Sequence, residues 1–171
     1  DVPPGGNIRR YPKAVFYGMQ AMACSPGSLV VALAAETQED AVRHRRPIYL
    51  LDLDSSSESV LLNRVGELTA FESPRWSYDG QYLAANAAYT SDDIPISTVV
   101  VTAEGERVAE FPVLEQDPQG IAFVWSGSQP LILREVYSTA GTTVDVLNLA
   151  SGLSSRLTIP EDIQRQLDEY T

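Results

Sequence analysis

The sequence predicts an all-β fold built from three repeats of four short antiparallel strands, and three observations predict it. A short phrase recurs as Ala23-Cys24-Ser25-Pro26-Gly27, Arg75-Trp76-Ser77-Tyr78-Asp79-Gly80 and Val124-Trp125-Ser126-Gly127-Ser128, its serines 52 and then 49 residues apart. Each phrase is followed by an apolar run: Leu29 to Ala35, Tyr82 to Tyr89, Leu131 to Tyr137. A second apolar run lies further on in each repeat: Ile48 to Leu53, Ser97 to Val101, Val144 to Leu149. A fixed period of strand-like segments marks a stacked or radial repeat architecture. Four short antiparallel strands are the content of one propeller blade. The expected fold class is therefore a partial, three-bladed β-propeller of four-stranded antiparallel blades with a short C-terminal helix.

One domain, 1–171, accommodates these elements. Residues 1–11 read as an extended arm, because Pro3-Pro4-Gly5-Gly6 suits neither a helix nor a central strand. Blade 1 is expected over 12–68. Lys13 to Ala23 supplies one or two strands, Leu29 to Ala35 a strand buried on both faces, and Thr37 to Pro47 a polar connection with room for a helical turn. Ile48 to Leu53 is the next strand, Asp54 to Ser57 a turn, and Ser59 to Leu62 starts another strand. Blade 2 is expected over 69–117. Tyr78-Asp79-Gly80-Gln81 turns the chain, since Gly accepts positive φ without steric cost. The β-branched Ile96 to Thr102 suits a pleated surface, and Val108 to Phe111 returns after the Glu104-Gly105-Glu106 turn. Blade 3 is expected over 118–158, with strands Ile121 to Trp125, Leu131 to Tyr137, Thr143 to Leu149 and Ser154 to Leu157. The tail 159–171 changes period. Pro160 suits the first helical position, Glu161 and Asp162 complement the helix dipole, and Ile163 and Leu167 share a face.

Composition narrows the function classes. Hydrophobic residues make up 44% of the chain, enough for a real core. The net charge of -11 opposes general nucleic-acid binding, which needs a basic surface. The one dense basic cluster, Arg43-His44-Arg45-Arg46, reads as a solvated loop. Cys24 is the only cysteine, so neither an intramolecular disulfide nor a thiolate metal cage is available. It is expected as a small buried apolar residue in the place of Trp76 and Trp125. No apolar stretch reaches the roughly 18 residues of a membrane span. The chain opens on Asp1 rather than Met, compatible with a removed signal peptide or with a boundary cut into a longer chain.

Catalytic chemistry finds little footing. A Ser-His-Asp triad would have to pass through His44, the only histidine, and no Gly-x-Ser-x-Gly elbow is present. Asp92-Asp93 reads as a solvated loop, without the spacing of a calcium loop. Asp52 and Asn148 fall at comparable repeat positions and are expected to serve turns through side-chain to backbone bonds. No Gly-rich phosphate loop occurs. The expectation is no catalytic residue, no cofactor and no metal. Tyr and Arg are favoured at interface hot spots, so Arg9, Arg10 and Tyr11 are the candidate contact residues.

The segment Trp76-Ser77-Tyr78-Asp79-Gly80-Gln81-Tyr82-Leu83-Ala84 resembles the WD-like repeat of TolB-type β-propellers, Trp-Ser-Pro-Asp-Gly-Lys-x-Leu-Ala followed by a strand ending in Asp and a turn. Repeat one departs from it after Ser25-Pro26, where Gly27-Ser28 replaces Asp-Gly. Repeat three carries Gly127-Ser128-Gln129-Pro130 instead of Pro-Asp-Gly-Lys, although its end, Val146 to Gly152 and Arg156-Leu157-Thr158, fits. The resemblance covers residues 12 to 158, one repeat closely and two loosely, and bears on fold more than on role. It makes Cys24, Ser25, Trp76, Ser77, Asp79, Gly80, Trp125 and Ser126 the repeat-defining residues. It implies that the apolar runs are the inner strands and that the tryptophans pack between blades. It also implies a bacterial cell-envelope setting, periplasmic or otherwise extracytoplasmic.

Closed propellers usually have four to eight blades, so three leave exposed edges that invite pairing. The expected partner is another protein or a second copy of the chain, completing the open blade edges. The expected function is a non-catalytic protein-interaction scaffold. Alternative readings are an accessory propeller that gates or supports a peptidase-like enzyme, and a propeller that binds carbohydrate or another small ligand.

Overall fold

The structure, a computed structural model, describes residues 18–127 and 130–157. The expected arm with Arg9, Arg10 and Tyr11, and the expected C-terminal helix, lie outside the described residues. Twelve strands form three four-stranded antiparallel sheets. The first holds β1 (Gly18–Cys24), β2 (Val30–Glu36), β3 (Ile48–Asp52) and β4 (Ser57–Leu62) in chain order. The second holds β5 (Ala70–Trp76), β6 (Tyr82–Ala88), β7 (Ser97–Thr102) and β8 (Arg107–Pro112). The third holds β9 (Pro118–Trp125), β10 (Leu131–Ser138), β11 (Gly141–Asn148) and β12 (Leu153–Leu157). These are three propeller blades. Among the described residues no helix is long and apolar enough to cross a membrane.

The register repeats along with the phrase. Val30 pairs with Asp52, Tyr82 with Thr102, and Leu131 with Asn148. Ser25, Ser77 and Ser126 each donate their backbone N–H to the residue five further on: Val30, Tyr82 and Leu131, at 2.8, 2.9 and 2.9 Å. Leu53, Ala103 and Leu149 close the opposite hairpins on Leu29, Gln81 and Pro130. The Asp52 and Asn148 side chains accept two backbone N–H groups each in the following turn, and Thr102 does the same in the second blade.

Side-chain alternation lets each sheet bury two faces. One core cluster joins blades 1 and 2 through Ala32, Ile48, Phe71, Trp76, Leu83 and Val101. Another joins blades 2 and 3 through Ala84, Val100, Phe111, Phe123, Trp125 and Ile132. The other face of blade 1 holds a small cluster of Leu33, Ala35 and Tyr49. The apolar runs form β2, β6 and β10, the second strand of each sheet, so their reading as inner strands is corrected. The solid apolar runs β2 and β6 have strands on both edges and buried side chains on both faces, the second face of β2 being covered by the Leu33, Ala35 and Tyr49 cluster. It is the first strands, β1, β5 and β9, that meet across successive blades.

The connection after β2 contains α1 (Gln38–Val42), started by a capping box in which the Thr37 hydroxyl accepts from the Asp40 N–H and the Asp40 carboxylate accepts from Thr37. Glycine is required at two turns. Gly105 has φ +89°, and a Cβ there would lie 2.7 Å from the Leu61 carbonyl oxygen of blade 1. Gly80 has φ +71° and sits against Pro26 and Ser25 in the preceding phrase.

Candidate partner-contact surface

The three phrases are assembled into one chain of contacts. The Trp76 indole N–H donates to the carbonyl of Ala23, the residue before Cys24, at 3.2 Å. The Trp125 indole N–H donates to the carbonyl of Arg75, the residue before Trp76, at 2.9 Å. Each tryptophan thus fastens its blade to the same point of the preceding one. In the second phrase the Ser77 hydroxyl donates to Asp79 at 2.6 Å and accepts from the Tyr82 N–H at 3.0 Å. The Ser77 hydroxyl, with the Gln81 N–H, holds the Asp79 carboxyl below the usual carboxylate range.

Cys24 is exposed, which corrects its reading as a buried apolar residue. A phrase corner is buried by the tryptophan contact to the blade before it, and no such blade exists among the described residues. Cys24, Trp76 and Trp125 line one cleft of about 370 Å³, with the exposed Arg75 between them. An adjoining cleft of about 470 Å³ runs between the second and third phrases, lined by Ser77, Asp79, Tyr78, Tyr82, Trp125 and Gly127. Ser25 lies against Gly80 of the second phrase. Ser126 is half-buried and holds the start of its turn through the Leu131 carbonyl.

The outer face of blade 3 is an exposed apolar feature that the register explains. Ala32, Ala84 and Leu133 occupy one repeat position, and Leu62, Phe111 and Leu157 another. The first two members of each set are buried in blade-to-blade cores. Leu133 is 37% exposed and Leu157 46%, and Val124 beside them is 52% exposed. The face that seats the next blade in blades 1 and 2 is therefore open in blade 3. It also explains why Leu131 to Tyr137, read as an apolar run, is buried on alternate residues only.

Charged residues bridge the same junctions. Arg46 is buried and reaches Glu36 at 3.0 Å, Glu72 at 3.7 Å and the Ser91 carbonyl at 3.1 Å, while its backbone pairs in parallel with Ala70. The expected solvated basic loop is thus corrected. Arg43 is exposed in a pair with Glu39, but Arg46 is an inter-blade strut and Arg45 pairs with the buried Asp40. Burial pushes the Glu72 carboxyl up, opposed by Arg46. Burial would also raise Asp40, but the Thr37 and Tyr49 hydroxyls, the Thr37 N–H and Arg45 outweigh it and hold the carboxyl below its ordinary value. Burial and the bond to Asp40 push the Tyr49 phenol up to about 12.

Between blades 2 and 3, Arg134 is 1% exposed. It donates to the Phe111 carbonyl at 2.5 Å, the Pro112 carbonyl at 3.1 Å and Asp145 at 2.9 Å. Arg156 links Asp145 to Glu115, which also accepts from Thr143. Buried Asn86 donates to the Ile121 carbonyl at 2.9 Å. Sequence reasoning missed Arg46, Asn86 and Arg134. A polar residue inside an otherwise solid apolar run, as Asn86 is, was the available signal.

His44 is exposed and pairs with Asp92 at 2.6 Å, tying the end of α1 to the 90–93 loop of blade 2. Among the described residues no group of three or more His, Cys, Asp or Glu side chains is placed to hold a metal.

No family model matches the chain, and no curated protein matches its sequence. Solved structures do match its fold. A chain of the crystal structure of a mitotic checkpoint complex aligns at TM-score 0.57 and 18% identity over 87% of this chain. A putative TolB from Agrobacterium tumefaciens aligns at 0.58 and 17% over 88%. An oligogalacturonate lyase in complex with manganese aligns at 0.54 and 16% over 82%. The fold is a propeller fold. At these identities the likeness is one of fold alone, and the chain spans 40%, 52% and 36% of the three solved chains.

Proposed function

We propose that the chain is a non-catalytic protein-interaction scaffold, its open blade edges completed by a protein partner or a second copy, within a bacterial cell-envelope assembly of periplasmic or other extracytoplasmic location. The observation that carries this reading is the open apolar face of blade 3, whose equivalents in blades 1 and 2 are buried interfaces. Rims and loops of a rigid propeller frame are suited to holding partners, and the -11 net charge favours a basic partner surface. The setting is supported by the TolB-type resemblance of the second repeat.

Light scattering separates the two completions: a mass of 18.7 kDa is one chain, and twice that is a three-plus-three ring. Affinity capture from the source organism, run beside Leu133→Glu, tests the role. A protein retained by the native chain and lost with the variant supports the scaffold. An empty capture together with a single-chain mass refutes it. The aromatic-lined cleft of about 470 Å³ supports a second reading, a small-ligand or carbohydrate site, because its volume falls in the range of ligand pockets. A thermal-shift screen with sugars showing no stabilisation rejects that reading.

A further inference from the structure

The repeat specifies what the open face of blade 3 is shaped to hold. Two junctions inside the chain follow one plan. The incoming blade ends its first strand in Trp, and its indole N–H bonds the carbonyl one residue before the phrase corner of the blade beneath: Trp76 on Ala23, Trp125 on Arg75. The side chain at that acceptor residue faces the incoming blade, because Ala23 pairs with Ala32, Arg75 with Ala84 and Val124 with Leu133. The incoming sheet then covers Ala32 and Leu62 at the first junction, Ala84 and Phe111 at the second. Advanced by one repeat, the plan assigns Val124 as the acceptor and Leu133, Val146 and Leu157 as the covered side chains.

We infer that this face is the seat of a fourth blade, a four-stranded antiparallel sheet that brings a tryptophan at the end of its first strand and donates the indole N–H to the Val124 carbonyl. The inference rests on the interaction reading above and names the partner's chemistry. A second copy of this chain does not meet the requirement. Its blades 2 and 3 already spend their tryptophans on the blades beneath them, and blade 1 offers Cys24 at that corner. A thiol is short and a weak donor, and it neither fills the junction nor makes the indole's bond. One position refines the occupant further. Where Asn86 donates to the Ile121 carbonyl at the second junction, blade 3 has Glu135, which only accepts. Glu135 already accepts from the Tyr137 hydroxyl, so a fourth blade that buries it presents a further donor there, a backbone N–H, hydroxyl or cationic side chain.

The test uses the full chain with a copy of its own residues 118–157 appended after Thr171. Cys24→Ser removes the native thiol, Leu133→Cys places a reporter thiol in the seat, and Glu135→Asn supplies the donor that the appended Ile121 carbonyl expects. The expected result is that labelling of the reporter by a thiol reagent is slowed about tenfold or more by the appended repeat. That protection should be lost when the tryptophan of the appended copy is changed to Ala. Unchanged labelling, or protection indifferent to that tryptophan, overturns the inference. So does protection in the unextended chain that rises with its concentration, which would put a second copy in the seat. Failure of the scaffold reading is read separately. An empty affinity capture with a protected reporter leaves the seat standing. A captured partner indifferent to Leu133→Glu removes the seat and leaves the scaffold.

Discussion

Changing Arg134 to Met removes the most deeply buried charge among the described residues. Its guanidinium satisfies the Phe111 and Pro112 carbonyls of blade 2 and pairs with Asp145 in blade 3. Without it, two carbonyls at the junction lose a donor, and Asp145 keeps only the Arg156 contact at 3.4 Å. Removing one partner of a buried pair costs about 3–5 kcal/mol. Arg156 retains part of the compensation, so the lower end, about 3 kcal/mol, is the expected loss. For a chain of this length each kcal/mol moves Tm by roughly 2–4 °C, so the fall should be about 6–12 °C. Urea and thermal unfolding followed by circular dichroism measure both quantities. The double variant Arg134→Met/Asp145→Leu should regain much of the loss, because apolar replacement of both partners is often close to neutral. A single-variant loss below about 1 kcal/mol, or a double variant less stable than the single one, would refute the claim that this network holds the two blades together.

Other expectations follow from single contacts. Trp125→Phe keeps most of the ring but deletes the bond to Arg75, and should cost about 1 kcal/mol in urea unfolding, against about 3–5 for Trp125→Ala. Equal costs for the two variants would contradict an anchoring hydrogen bond set within a packed junction. Gly105→Ala adds a Cβ 2.7 Å from the Leu61 carbonyl at a left-handed φ, and should cost more than about 1 kcal/mol. A neutral result in a thermal melt would mean that the blade 1 to blade 2 approach is looser than described. The pH profile has a worked sign. Asp40 and Glu115 have depressed carboxyl pKa values, Glu115 because Thr143, Arg156 and Arg134 outweigh its burial. Their contributions are complete above the unfolded-state values near 4 and are lost as pH falls through the lower folded values. Glu72 acts oppositely, since its raised carboxyl favours the protonated fold and gives up stability as pH rises. Urea midpoints should therefore fall on acidification below about pH 4, and Asp40→Asn should flatten the fall. An unchanged slope would show that the Thr37, Tyr49 and Arg45 contacts to Asp40 do not favour its ionised form.

The repeat was legible because the same physical demands act three times. A corner residue, a serine N–H closing five residues on, and a side-chain acceptor at Asp52, Thr102 or Asn148 recur at one register, and the Asp52 and Asn148 roles could be read from type and position. What escaped was context supplied by neighbouring sheets. Arg46 looks solvated beside Arg43 and His44, yet Glu36 and Glu72 reach it from different strands. Cys24 looks like a small core residue, but a corner is buried by contact with a preceding blade. Leu131 to Tyr137 holds the same repeat position as Tyr82 to Tyr89, and the order of the sheets shows that one has a neighbour on one side and the other on both. Arg134 reads in the sequence only as part of the strand Leu131 to Tyr137, and its bridge to the Phe111 and Pro112 carbonyls of β8 depends on the neighbouring sheet.

Every residue of β12 lacks shelter: Leu153, Ser154, Ser155, Arg156 and Leu157 are all exposed. In linear arrays each unit draws its stability from nearest neighbours, and a unit held from one side opens at lower free energy than one held from two. Amide exchange should accordingly run fastest along β12, slow through β11 and β10, and be slowest in β6 and β7. The third sheet, with its fully exposed last strand, would then be the first to fray, and whatever docks there would hold it closed.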